Sequence, residues 1–396
     1  MLTDTQTRLL FLTAAAIHGD AEKYSTSPEL INEANVNGIL PLVYSVLDEN
    51  SKLFARALFS RCITRIMRVA DEHRLYSSVL NDAGINYCII KGLSCSEYYP
   101  DPKLRMLGDT DILVKKCDFE DACNAFLASG FAENDNFGAD YHRVFSLENR
   151  GKIELHNSIN GIPTCNEGKI LAEYLENSVD TAQKSGLPNL GFAVPDKFHH
   201  GLILLTHMAN HILQSGIGLR QLCDWAVFCD SMSDEEFFSL FYEPLKKCGL
   251  WKFAGIMTDL SVKYLKIDEK ASVKSEISPE YLEELMTDIL SAGNFGQKNP
   301  SRLNSSKLVA DKSHGKVDEK NMVCQLFSSL KDKAIRKYEF CRKYPPLLPL
   351  GVLLALFIYI IKIFRGKKPA IHPSKMIADA EIRRKIYSEF ELFDGK

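Results

Sequence analysis

The hydrophobic rhythm of this chain turns from the helical period to short β-rich runs between residues 85 and 157, and that change fixes the class of fold open to it. Before it, residues 2–83 read as helical, with apolar positions recurring through Leu53, Leu58, Ile63, Ile66, Leu75, Val79 and Leu80. Gly84 follows as a helix stop. The pattern then turns to short β-rich runs. Ile85–Ile90 lies between Gly84 and Gly92, Thr110–Val114 follows, and His142–Leu147 and Lys152–His156 are joined by a turn at Asn149-Arg150-Gly151. Phe119–Ser129 reads as a helix stopped by Gly130. The segment predicts strand, helix, strand, helix and hairpin. From about Pro195 helical spacing returns, over 198–213, 219–228 and 279–291. The expected class is α+β, with a small α/β core inside mostly helical regions.

The boundaries expected are a helical region over 1–84, the α/β core over 85–194 and a helical domain over 195–291. Residues 292–321, rich in Gly, Asn, Ser and Lys, read as a flexible loop, and 322–396 as C-terminal helices. Within the last, Tyr344–Ile361 carries no charge. Arg342 and Lys343 flank it on one side, and Lys362, Arg365, Lys367 and Lys368 on the other. Prolines 345, 346 and 349 take up its start. The helical remainder, roughly 22 Å long at about 1.5 Å per residue, falls short of a hydrocarbon core of about 30 Å. A packed helix, an anchor lying on a membrane surface and a true span are the three readings, and residues 344–368 are the surface that would meet anionic lipid.

Hydrophobic residues make up 45% of the 396 and charged residues 25%, so the chain has the composition of a globular protein. A net charge of −3 gives no global basic field, and nucleic acid is not expected as a stoichiometric partner. The 11 cysteines include no C-x-x-C pair, which suits reduced thiols in a cytoplasmic protein and makes no zinc signature. Leu9–Ile17 is apolar, but Asp4 precedes it and Arg8 is its one basic neighbour, so a first helix is expected there and not a signal peptide.

Chemistry concentrates at Gly108-Asp109-Thr110-Asp111. In a strand, residues two apart share a face, so Asp109 and Asp111 are expected to present two carboxylates together. Such a pair is costly without a cation between, and hard oxygen ligands suit Mg²⁺. An isolated D-x-D is common at strand ends. Its neighbours add weight. Ile89-Ile90-Lys91-Gly92-Leu93-Ser94 reads as a strand entering a glycine turn and then a helix, which suits phosphate. In Ile153-Glu154-Leu155-His156, alternation puts Glu154 and His156 on one face, so Glu154 supplies a third carboxylate.

A Gly-x-Ser turn, an Asp-x-Asp strand and a later acidic strand together resemble the DNA polymerase β-like nucleotidyltransferase superfamily. More narrowly, the chain resembles the bacterial uncharacterised nucleotidyltransferase family. The stretches are Ile90-Lys91-Gly92, Tyr98–Pro102, Arg105 with Gly108–Asp111, Ile153–His156, His207 and His211, Leu219-Arg220 with Asp224, and Gly293–Gly296. The resemblance implies a mixed-sheet nucleotidyltransferase core with packed helices, and two-metal transfer of a nucleoside monophosphate from NTP, with ATP expected, to a hydroxyl on a small molecule, sugar or protein. Asp109, Asp111 and Glu154 would hold Mg²⁺ or Mn²⁺, and Gly92 and Ser94 the β- and γ-phosphates. Two departures stand out: Gly92 and Asp109 are far apart, and Leu93 separates Gly92 from Ser94.

Lys91 reads either as a phosphate contact or as a solvated lysine, and Arg105 either as a triphosphate contact or as a surface arginine. His156 is expected as an ordinary strand histidine, His207 and His211 as packing residues on one helix face, and Arg220–Asp224 as an intrahelical pair. A non-catalytic nucleotide- or partner-binding module of the same fold is the alternative function. The location expected is cytoplasmic, with the inner face of the membrane as a peripheral site.

Overall fold

The computed structural model describes residues 1–134, 141–188, 191–214, 216–294 and 298, then 334, 338, 341, 344–354, 357 and 373–394. Four helices open the chain: α1 (Asp4–Ile17), α2 (Pro28–Val36), α3 (Leu40–Tyr44) and α4 (Glu49–Asp82). Asp48 caps α4, accepting from Ser51 N at 2.7 Å. Gly84 ends it at φ +69°, a left-handed position that a glycine occupies without strain. The buried stripe of α4, Ile66, Val69, His73, Tyr76, Val79 and Leu80, has helical spacing and faces the sheet.

The sheet comprises β1 (Tyr87–Ile89), β2 (Thr110–Val114), β3 (Ala132–Asn134), β4 (His142–Ser146) and β5 (Lys152–His156) in the order β1-β2-β5-β4-β3. β2 and β5 run parallel and the other pairs antiparallel, so the sheet is mixed and the class is α+β. The strands predicted over 110–114 and 152–156 have those bounds. The hairpin turn before β5 holds Asn149 at φ +62°, a conformation asparagine tolerates. α4 fastens this turn: Glu72 Oε1 accepts from Gly151 N at 2.6 Å and Tyr76 Oη donates to Gly151 O at 3.2 Å.

Strand alternation divides the sheet. Ile112, Val114, Ile153, Leu155 and Phe145 join Phe126 of α6 (Phe119–Ala128) and the α4 stripe in one core. Asp111, Glu154 and His156 therefore belong to the opposite face. Two features differ from the sequence reading. The helix expected after Gly92 is a single turn, α5 (Leu93–Ser96), and β3 adds an edge strand with only one partly buried residue, too polar for apolar periodicity to show it.

Beyond α7 (Asn166–Leu175) and the small pair β6 (Gln183–Lys184) and β7 (Ala193–Val194) come α8 (Lys197–Gln214), α9 (Leu219–Asp230), α10 (Asp234–Lys247), α11 (Trp251–Leu265) and α12 (Pro279–Ala292). Two compact units result: Met1–Ile212 with Gly216–Lys298 and Ser388–Lys396, and Leu213–Ser215 with Asn299–Tyr387. In the second, Ala334, Cys341 and Val352 are buried together, and Pro373–Ser388 is helical. Apart from 292–294 and 298, the loop expected over 292–321 lies outside the described residues, as do 355, 356 and 358–361 of the apolar segment. The described part of that segment exposes Leu347, Leu350, Leu353 and Phe357. Among the described residues no helix is long and apolar enough to cross a membrane.

Candidate active site

The parallel ladder sets Asp111 opposite Glu154 and Leu113 opposite His156. Asp111, Glu154 and His156 each bring one ligand atom within 4.8 Å of the others. Asp111 is 7% exposed and Oδ1 is its bonding atom: Lys91 Nζ and His156 Nε2 both lie 3.0 Å from it. His156 Nε2 is also 3.6 Å from Glu154 Oε2. Lys91 reaches this oxygen because Ile90 N donates to Asp111 O at 3.1 Å, so the chain leaves the sheet edge beside Asp111.

Burial pushes the Asp111 carboxyl upward, but the Lys91 charge and the His156 hydrogen bond overcome it and hold Asp111 far below the usual carboxylate range. His156 beside it, against burial, also lowers the Glu154 carboxyl. Burial opposes a charge on His156, and the two carboxylates beside it, Asp111 first, outweigh that, so its pKa rises.

A metal-bound histidine ordinarily donates its second ring nitrogen to an acceptor. His156 Nδ1 is buried with no hydrogen-bond partner among the described residues. The ring is therefore better placed to donate from Nε2 to Asp111, with Glu154 beside it at ion-pair distance, than to ligate through that nitrogen. Asp111 and Glu154 fit a divalent cation as paired oxygen donors, with His156 fixing their orientation.

Asp109 stands one residue before β2, exposed and outside the group of three. Gly92 sits at φ +70° and ψ −115°; a Cβ there would lie 3.4 Å from His73 Nε2 and 3.9 Å from Asp109 O. The backbone thus takes a conformation that side chains resist. Ser94 is 1% exposed, and its Oγ has no hydrogen-bond partner among the described residues. It lies beneath the turn and not at its surface.

Arg105 is not a surface arginine. It is 5% exposed; Nε and Nη2 each donate to one Asp224 oxygen at 2.7 Å, and Nη1 donates to Gly92 O at 2.9 Å. Tyr99 Oη donates to Asp224 Oδ1 at 2.7 Å. The intrahelical Arg220–Asp224 pairing expected from spacing gives way to this arrangement. Asp224 turns to Arg105 and Tyr99, and Arg220 Nη1 donates to Met106 O at 3.1 Å. A bidentate buried partner outcompetes a helix neighbour because a planar fork satisfies both carboxylate oxygens.

Sequence reasoning passed over His73 and His142. His73 Nδ1 lies 2.7 Å from Val69 O and 3.5 Å from Thr110 Oγ1, and the His142 ring stacks on His156 at 5.2 Å. Only the helical phase of His73 hinted at its place. His207 and His211 have rings 4.2 Å apart at 76°. Burial first, then the charge of Lys91, lowers the pKa of both, which sets these α8 residues within the electrostatic reach of the cluster.

Burial pulls His73, His200 and His211 down to about 4 from an ordinary 6.5. Between those values the unfolded chain holds protons that the native state does not, so stability falls on acidification. The slope expected is up to about 1.4 kcal/mol per pH unit for each histidine from pH 6.5 towards 4. The raised His156 contributes fully below 6.5 and the depressed Asp111 fully above the ordinary carboxylate range, so both are flat across this window. Urea denaturation at a series of pH values measures the slope. His200→Phe, which keeps the stacking on Phe228, is expected to reduce it by the share of one histidine, and an unchanged slope would show that His200 is not buried neutral.

Comparison with known families is consistent with this geometry. A family model described as uncharacterised nucleotidyltransferase matches residues 25–266, more than half the chain and all five strands of the mixed sheet. No curated protein matches the sequence.

Proposed function

Because the chain belongs to the uncharacterised nucleotidyltransferase family, we propose that it moves a nucleoside monophosphate from an NTP, with ATP expected, to a hydroxyl acceptor. The observation that carries this reading is the register pairing of Asp111 with Glu154 on parallel strands, which brings two carboxylates from distant parts of the sequence to one sheet face. Asp111 and Glu154, joined by Asp109 from its exposed position, would hold Mg²⁺ or Mn²⁺ in a two-metal arrangement. When bound, these cations polarise the phosphate and lower the pKa of the acceptor hydroxyl. The acceptor hydroxyl gives up its proton to solvent as its oxygen bonds the α-phosphorus, the bond from that phosphorus to the α–β bridging oxygen breaks, and pyrophosphate leaves.

The chain's own residues orient and neutralise. His156 donates to Asp111 and stands at ion-pair distance from Glu154, which fixes their spacing. Lys91 supplies positive charge beside the Gly92 turn, where the phosphates are proposed to lie. Arg105 acts from beneath, through Gly92 O. Ser94 would need to turn outward to join them.

The test is transfer of label from a mixture of α-labelled NTPs into a cell extract offered as acceptor, with Mn²⁺ or Mg²⁺ and with EDTA. Cation-dependent labelled product is expected. Its absence with every nucleotide, alongside nucleotide binding by calorimetry, would favour the second reading, a non-catalytic nucleotide- or partner-binding module. The burial of Ser94 is the observation that speaks for that reading. We also propose a cytoplasmic location with peripheral contact to an anionic lipid surface through 344–368, supported by the exposed leucines of 347–353. Vesicle sedimentation of the full chain and of one ending at Arg342 tests it, and equal sedimentation excludes it.

A further inference from the structure

Asp111 Oδ1 accepts from two nitrogens, Lys91 Nζ and His156 Nε2, each at 3.0 Å. A cation ligated through this oxygen must displace one of them, because an acceptor holding two donors has little electron density left to offer. The two donors differ in freedom. His156 is 3% exposed, ends a strand that is paired on both sides, and is stacked on His142. The Lys91 side chain is 24% exposed, lies between β1 and α5, and carries its charge on a flexible four-carbon stem. Lys91 is the donor that can leave.

Where it can go follows from the other charges. An ammonium beside a dication is repelled, and Lys91 directly precedes the Gly92 turn. The other cations near the turn are already engaged: Arg105 with Asp224 and Gly92 O, and Arg220 with Met106 O. His207, His211 and His142 face the cluster with lowered pKa values, burial being the first cause in each, and carry no charge at neutral pH. Glu154 is held by His156.

We propose that Lys91 is an exchangeable counter-ion. The ammonium that pairs with Asp111 passes to the triphosphate when a divalent cation takes the carboxylate, so that cation and triphosphate bind together and neither binds well alone. This rests on the nucleotidyltransferase reading and adds a role for one residue: Lys91 makes the site specific for a cation–polyphosphate complex over a bare cation. Because binding free energies are linked, the cation must strengthen triphosphate binding by the same factor as the triphosphate strengthens cation binding.

The experiment is calorimetry on the full chain with two ligands, Mn²⁺ alone and the Mn²⁺ complex of inorganic tripolyphosphate, using the parent, Lys91→Met and Lys91→Arg. Loss of the charge in Lys91→Met is expected to tighten bare Mn²⁺ by about tenfold and weaken the tripolyphosphate complex by about tenfold, within the usual range of coupling. Lys91→Arg keeps the charge and is expected to keep the parent's preference for the complex. Parent-like binding of both ligands by Lys91→Met, or weaker binding of bare Mn²⁺, overturns the exchange and leaves the cation site standing. No binding of either ligand by any of the three proteins overturns the cation site and the exchange with it.

Discussion

Alanine at Asp109 and alanine at Asp111 are expected to give similar losses of nucleotidyl transfer, on the order of 10²–10³-fold, with different consequences for the fold. Asp109 is exposed and stands outside the hydrogen-bonded cluster. Its truncation should change stability by no more than about 0.5 kcal/mol, as for an ordinary surface site. Asp111 is buried and is the shared acceptor of Lys91 and His156. Its truncation removes two charge-assisted hydrogen bonds and leaves two donors facing each other, a cost of about 1.5–3 kcal/mol. Label transfer and urea denaturation on the same preparations separate these outcomes. Full activity in Asp109→Ala would leave a two-carboxylate site and remove Asp109 from it.

The largest effect on stability is expected at Asp224. Its carboxylate is the counter-charge of Arg105, and both side chains are almost wholly buried. Asp224→Ala strands a guanidinium that cannot lose its proton and leaves the Tyr99 hydroxyl without its acceptor. Breaking a buried pair from one side costs about 3–5 kcal/mol. Replacing both partners with apolar residues removes the charge as well as the pairing, so the double variant Arg105→Met with Asp224→Leu should be less destabilised than the single one. The Gly92 carbonyl still loses its donor in the double variant. Amide hydrogen exchange should therefore quicken around 90–96 even where global stability recovers. A double variant as unstable as Asp224→Ala would mean that packing at α9, not the buried charge, dominates.

These two sites mark how far the sequence can be read. The register that sets Asp111 beside Glu154 is tertiary and residue spacing does not give it, whereas the face of each side chain within its own strand follows from local alternation. The bounds of β2 and β5 are legible for the same reason. Arg105 and Asp224 are 119 positions apart, and nothing within either neighbourhood announces the other. A four-residue spacing makes Arg220 the obvious partner for Asp224, and tertiary geometry overrides it. The helix expected after Gly92 fails on length, since a strand–glycine–small-residue run looks alike whether one turn follows or four. Lys91 has two readings because its role depends on which oxygen its long side chain meets, and sequence carries no information on that distance.

Diffraction at the manganese edge, from crystals grown with Mn²⁺ and a non-hydrolysable NTP analogue, tests whether Asp111 and Glu154 hold the cation beside which an NTP places its phosphates. The expected result is an anomalous peak about 2 Å from oxygens of both Asp111 and Glu154, with triphosphate density over the Gly92 turn. Manganese bound elsewhere, or a nucleotide seated away from Gly92 and these two carboxylates, would contradict it.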